Sequence, residues 1–370
     1  MKITIVTPSL AAGGAERSVV LLSAGFLNKK HDVRIVTLYP AATDAYALPE
    51  GAERVALDIA ADSPTVIHGF FRNLKRLAAL RKAIRATQPD VVISNMSQTN
   101  VLTRLALANT GFRVAMIEHS DPTMNAGNRI WKLLRRAVYP HAAQLVSVSH
   151  GISDYFHWLP ESRKTVIPNP LDPNATEVSN EDSPPLDLNK KWIAAMGRLI
   201  HVKGFDRLLA AFAKLVEKHP DWQLVIMGEG ELRSDLEQLI ERLGLKGRAQ
   251  LAGFVGNPFG VLKHSEFFVM SSRSEGFPYA LLEAMSCALP AIAMECTSGP
   301  REIIRDGVDG ILVPDGDVEA LAVAMDRLMS KATERERMAA HAPDVLERFG
   351  LEKTIEQWER LFAGIVQDQR

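Results

Sequence analysis

The 370 residues contain only two cysteines, Cys287 and Cys296, with neither a C-x-x-C pair nor histidines at zinc-ligand spacing beside them. That excludes a disulfide framework and a cysteine-based zinc site, and fits two small buried side chains in a reducing compartment. Long apolar runs are missing too: no window approaches the roughly 18 to 20 residues that a bilayer-crossing helix needs. The opening stretch MKITIVTPSL is interrupted by Thr4, Thr7 and Pro8, so it reads as a first strand and not as the apolar segment of a signal peptide. The expected location is cytoplasmic, with any membrane contact made from the side, on the inner face of the cytoplasmic membrane. No short repeat or low-complexity tract occurs, and 46% hydrophobic with 24% charged residues excludes a disordered or fibrous chain.

Net charge is nearly absent as well, at −1, but its distribution is uneven. Residues 1–170 hold 20 basic and 12 acidic side chains, and residues 171–370 hold 23 basic and 32 acidic. A basic half points to an anionic partner: a phosphorylated small molecule, an anionic membrane surface or nucleic acid, with scattered surface charge as the plain alternative. No nucleic-acid partner is expected: the basic segments carry few aromatics for bases to stack on.

What is present is a regular alternation. Short β-branched runs (KITIVT, DVRIVTL, DVVIS, RVAMIE, QLVSVS, KTVIP) alternate with helical patterns such as Ala15 to Asn28. After a stretch rich in Pro, Asn, Ser and acids, Asn169 to Lys190, a second series follows: KWIAAMG, WQLVIMG, RAQLAG, EFFVMS, LPAIAM and DGILVP. Alternation of this kind marks α/β units with parallel strands, and the length favours two domains. The expected class is α/β, two doubly wound domains of similar size with a cleft between them. Ligands of open α/β sheets sit beyond the carboxyl ends of the strands, so the strand-end loops are where chemistry belongs.

In the first loop, TPSLAAGGAERS, Gly13 and Gly14 precede a helix whose N-terminus offers amides to an anion, while Glu16 suits the helix dipole. The spacing is not G-x-G-x-x-G and the second strand ends TLYP, so an NAD site is disfavoured. The loop MGRLIHVKGFDRLL places Gly197, Arg198 and Lys203 at a strand end, where two cations can hold a diphosphate or simply be solvated. Gly228 and Gly230 end the next strand, and Phe254 after RAQLAG can pack on a flat base. In SRSEGFPYALLEAMSCALPAI, Pro278 fits a first helical position. The unpaired amides of Tyr279, Ala280 and Leu281 then form an anion site between Glu275 and Glu283. These two carboxylates suit two ends of an extended ligand such as a nucleotide sugar. TSGPREI repeats the strand-to-helix device with Glu302, and Glu118 and His119 end another strand, either facing the cleft or satisfied within the fold.

Three motifs taken in order, GGAE at Gly13 to Glu16, GRLIHVKG at Gly197 to Gly204 and EGFPYALLE at Glu275 to Glu283, resemble the retaining glycosyltransferases of family 4 over essentially the whole chain. The resemblance implies the GT-B fold, two facing Rossmann-like domains with an interdomain cleft. Residues 1–170 would form the acceptor-binding domain, completed by a crossover helix at 352–370, and residues 171–351 the nucleotide-sugar-binding domain. It implies that Arg198 and Lys203 hold the donor diphosphate, that Glu275 binds sugar hydroxyls and Glu283 the ribose, and that His119 reaches the donor sugar. Gly276, Phe277 and the amides near Tyr279 and Ala280 would cradle phosphate, with Gly13 and Gly14 beneath it. Pro278 departs from the glycine the family often has there, and the TSGPRE loop is similar to the subgroup that assembles bacterial surface polysaccharide and lipid-linked oligosaccharide.

The implied reaction is transfer of a hexose (Gal, GalNAc or Glc type) from a UDP-sugar with retention, needing neither cofactor nor bound metal. A nucleotide-sugar epimerase of the same fold is the alternative enzyme, and a non-catalytic scaffold conflicts with the intact Arg198, Lys203, Glu275 and Glu283 set. Two basic stretches, NRIWKLLRRAVYP and FFRNLKRLAALRKAIR, are either ordinary core-facing helices or contacts for an anionic membrane carrying a lipid-linked acceptor.

Overall fold

The computed structural model describes residues 1–59, 66–122, 129–172, 186–187 and 189–367. They form two compact units, Met1–Pro170 together with Leu351–Arg370, and Leu171–Gly350. Most of the Pro- and Asn-rich stretch expected to link two domains lies outside the described residues.

The first unit carries strands β1 (Lys2–Thr7), β2 (Asp32–Thr37), β3 (Glu53–Ala56), β4 (Val91–Asn95), β5 (Val114–Glu118), β6 (Gln144–Ser147) and β7 (Lys164–Val166). They pair in parallel in the order β3-β2-β1-β4-β5-β6-β7. Every residue of β4 and β5 is buried, as strands covered by helices on both faces must be, which is why they read as continuous apolar runs. The edge strand β3 has no such run and escapes a reading from sequence; its ERVA is mostly exposed.

The last helix, Leu351–Gln367, belongs to this first unit. Trp358 and Phe362 pack their rings on Phe26 of the helix Gly14–Asn28, with centroids 6.3 and 5.4 Å apart. A Cβ at Gly25 would stand 2.4 Å from Ile355, so the glycine lets the two helices approach.

The helix Arg129–Val138 divides its apolar side chains between the two sides, with Trp131 and Leu134 half-buried. Its buried residues are Arg135 and Val138, whereas Ile130 and Leu133 are 59% and 69% exposed.

The second unit carries β8 (Lys191–Met196), β9 (Trp222–Met227), β10 (Ala249–Gly253), β11 (Ser265–Met270), β12 (Ala291–Glu295) and β13 (Gly310–Pro314). These are parallel in the order β10-β9-β8-β11-β12-β13. One face of this sheet builds a core from Ile193, Leu224, Phe267 and Ile292 against the helices Phe205–Ala213 and Val318–Ser330. Two doubly wound, Rossmann-like sheets thus account for the chain.

Candidate active site

In the second unit the strand order reverses between β8 and β11. Loops leaving the carboxyl ends of these two strands run to opposite sides and open a crevice, where doubly wound folds bind their ligands. The loop after β8 carries Gly197, Arg198 and a short turn, His201–Lys203; the loop after β11 carries Ser271 to Pro278.

Several contacts lock these loops together. Gly204 has φ of 65°, and a Cβ there would lie 2.1 Å from the Ser271 carbonyl, so only glycine fits. The Arg273 amide donates to the Val202 carbonyl at 2.8 Å, and its guanidinium donates to both Asp206 carboxylate oxygens at 2.8 and 2.6 Å. That fork holds the Asp206 carboxyl below its usual range, against the smaller effect of burial. With the loops fixed, Lys203 Nζ meets Glu275 Oε1 at 2.6 Å, and Ser272 Oγ donates to the same oxygen at 2.6 Å. From the loop after β12, Ser298 Oγ donates to the Glu275 carbonyl at 2.6 Å. Ser272 and Ser298 are positioning residues; the sequence singled out the TSGPREI loop for its amides and not for the Ser298 hydroxyl, and Ser272 was passed over, its only signal being its place three positions before Glu275.

Arg198, just past the end of β8, is exposed and has no ion-pair partner among the described residues. Its position leaves a cation available to an anion, while Lys203 is already shared with Glu275. The helix Tyr279–Ser286 starts one residue later than Pro278 suggested, with Pro278 as its N-cap. The first-turn amides of Ala280 and Leu281 therefore have no acceptor within the helix and form its positive end. Glu283 lies in the second turn and is only 2% exposed.

Other expected donor residues sit differently. The Phe277 ring is buried, edge-on to Phe349 with centroids 5.1 Å apart, so only its main chain remains for a ligand. The Tyr279 side chain is likewise buried. Gly228 answers a backbone demand: at φ of 143° its Cβ would fall 1.9 Å from the Gly197 carbonyl, and its amide donates to the Gly253 carbonyl at 2.7 Å. Phe254 is 72% exposed, open for stacking.

The first unit has its own reversal, between β1 and β4. Gly13 caps the helix Gly14–Asn28, with φ of −168°, ordinary extended backbone. Asn95 Nδ2 donates to Thr7 Oγ1 at 3.2 Å and to the Ala15 carbonyl at 3.4 Å, tying that helix start to the ends of β1 and β4. On the neighbouring strand end, Glu118 is buried and receives Ser97 Oγ at 2.7 Å, Asn100 Nδ2 at 3.1 Å and the Tyr139 hydroxyl. Burial raises its pKa, opposed by these donors and by Arg135. His119 follows it, and burial pushes the imidazole down to about 4, opposed by Asn169; the ring is neutral at physiological pH. Glu118 is thus a caged structural carboxyl, and His119 the neutral group beside it.

Two Rossmann-like units, one with a cation and anion set at its switch point, are the frame expected of the GT-B fold. Residues 12–175 match the profile described as Glycosyltransferase Family 4, and residues 179–345 match Glycosyl transferases group 1. The chain belongs to glycosyltransferase family 4. It is 28% identical, over 99% of both chains, to the GalNAc-alpha-(1->4)-GalNAc-alpha-(1->3)-diNAcBac-PP-undecaprenol alpha-1,4-N-acetyl-D-galactosaminyltransferase of Campylobacter jejuni. It is 30% identical to an uncharacterized glycosyltransferase of Methanocaldococcus jannaschii, covering 80% of this chain and 84% of that one. The Anabaena protein HepE, solved in complex with UDP and glucose, superposes with a TM-score of 0.80 at 18% identity, over 98% of this chain and 99% of HepE.

Proposed function

We propose that this glycosyltransferase moves a hexose from a UDP-sugar to a lipid-linked glycan acceptor in surface polysaccharide or oligosaccharide assembly, with retention of the anomeric configuration. The observation that carries the reading is the second unit's switch point, where exposed Arg198, the Lys203–Glu275 pair and the amides of Ala280 and Leu281 occur together. This combination suits a diphosphate next to a hydroxyl-bearing ring. Arg198 and Lys203 take up the charge that develops on the departing diphosphate, a role worth several kcal/mol in a dehydrated site. Glu275, released from Lys203 as that lysine turns to phosphate, accepts hydrogen bonds from the sugar hydroxyls, and Glu283 those of the ribose. His119, held neutral, serves the donor sugar without adding charge.

In the proposed step the bond from the anomeric carbon to the diphosphate oxygen breaks, and the acceptor oxygen bonds the same carbon on the same face. The acceptor proton passes to the leaving phosphate oxygen, so no protein carboxylate becomes covalently attached. With two cations and a helix N-terminus supplying the positive charge, the reading requires no divalent metal. The lipid-linked acceptor is supported by the activity of the Campylobacter relative, and UDP by the ligands of HepE.

A panel of nucleotide sugars, scored by release of free nucleoside diphosphate with and without polyprenyl-linked acceptors, tests this. UDP-hexose should give stoichiometric UDP and an α-linked product, unaffected by chelator. Epimerised sugar without net UDP release, or loss of turnover with chelator, would overturn it.

A further inference from the structure

The helix Arg129–Val138 carries a two-part outer face. Placed at 3.6 residues per turn, Lys132, Arg136 and Arg129 form one edge and Leu133, Ala137 and Ile130 the adjoining edge of a single continuous arc. All six side chains are exposed, and the helix holds no acidic residue. The opposite arc seats Val138 and Arg135 in the unit, with the Arg135 guanidinium 5.9 Å from the Tyr155 ring centre and close enough to Glu118 to act on its charge. Half-buried Trp131 and Leu134 share that inner arc, so the helix is seated by apolar side chains with one buried arginine among them, while Ile130 and Leu133 on the outer arc stay exposed. Beside the basic edge, the Arg136 guanidinium lies 5.7 Å from the ring centre of Trp158, which is half-buried.

We infer that this face docks on an anionic lipid bilayer. Leu133 and Ile130 enter the boundary between headgroups and acyl chains, Arg129, Lys132 and Arg136 meet anionic headgroups, and Trp158 lies at the rim where indoles favour the interface. Charge decides the occupant. A second copy of the chain would set three cations against three, whereas an anionic membrane offers an apolar layer and negative charge together. No helix among the described residues is long and apolar enough to cross a membrane, so attachment through this helix would be peripheral. The inference deepens the lipid-linked-acceptor reading, yet its test reads vesicle binding alone and stands or falls without turnover.

The full chain is sedimented with vesicles of phosphatidylcholine alone or mixed with phosphatidylglycerol. Wild type should bind the mixed vesicles, weakly or not at all the neutral ones, and release with salt. The double variant Ile130→Ser/Leu133→Ser should lose about tenfold or more in affinity. Arg129→Gln/Lys132→Gln/Arg136→Gln should lose about 100-fold. All six positions are exposed, so both variants should melt as wild type does. Equal binding to neutral vesicles, or unchanged binding by both variants, overturns the inference. So does concentration-dependent dimerisation abolished by Ile130→Ser/Leu133→Ser, which would assign the face to a second copy. Vesicle binding without transferase activity would refute the proposed function and leave this inference intact.

Discussion

The two units share a sheet design and treat their switch points in opposite ways. In the second unit the carboxyl ends of β8 and β11 keep charged groups, one exposed and two half-buried: Arg198 is exposed, and Lys203 pairs with Glu275 at 21% and 9% side-chain exposure. In the first unit, beside the reversal, polar groups are drawn inward, with Glu118 caged by Ser97, Asn100 and Tyr139 and His119 held uncharged by burial. Topology supplies the crevice in both; burial decides whether it presents charge or neutral hydrogen-bonding groups. A unit that handles diphosphate needs the first arrangement, and one that meets a neutral sugar or acceptor tolerates the second.

The strongest way to break this contrast is to remove the second unit's cations. Lys203→Ala and Arg198→Ala should each lower kcat for UDP release by about 100- to 1,000-fold, as lost transition-state donors do, with the melting temperature little changed. Rates within a few-fold of wild type would dissolve the assignment of charge handling to this unit.

Next in size is a structural change. Gly228→Ala combines a φ of 143° with a Cβ 1.9 Å from the Gly197 carbonyl, and should destabilise the second unit by about 3 kcal/mol or more in denaturant titration. A variant as stable as wild type would show that the loops at β8 and β9 have room to separate.

The first unit is probed through pH. His119 takes its proton near 6.5 when unfolded and only near pH 4 when folded. Between these values the unfolded chain binds the proton and the folded chain does not, so folded stability falls as pH drops through that window. The slope is at most about 1.4 kcal/mol per pH unit, about 3 kcal/mol in all. Glu118, with its pKa raised, pulls in the opposite direction, so the informative quantity is wild type minus His119→Gln. That difference should change with pH between 6.5 and 4; parallel stability curves would mean that His119 is not held neutral.

The smallest effect is expected from Ser272→Ala, which removes one of two donors on Glu275 Oε1. About one kcal/mol of positioning, roughly a fivefold fall in kcat/KM, should follow. A loss as large as that of Lys203→Ala would mean that the serine itself touches substrate.

Twelve of the thirteen strands were legible in the sequence, most of them because parallel strands covered on both faces leave short apolar runs, others, such as β7 and β10, from their place in the alternation. β3 was not, since an exposed edge strand needs no apolar pattern. Arg198, Lys203 and Glu275 were legible as polar residues just past such runs. What escaped was which of them meet: Lys203 and Glu275 are 72 residues apart, and their pairing depends on β11 lying beside β8. Nor could local pattern show that the Phe277 ring turns into the core against Phe349, or that Ile130 and Leu133 turn out.

The sequence by itself determined most of the strands, the parallel α/β class, the strand-end loops and the chemical types available in them. These are local matters, set by periodicity, β-branching and helix-start chemistry over a few residues. Only the tertiary structure decided that Lys203 is shared with Glu275, that Glu118 is caged and His119 neutral, and that one basic helix keeps Ile130 and Leu133 in water. Each of those depends on burial and on neighbours far away in the chain, and desolvation is a property of the packed molecule, invisible in a run of letters.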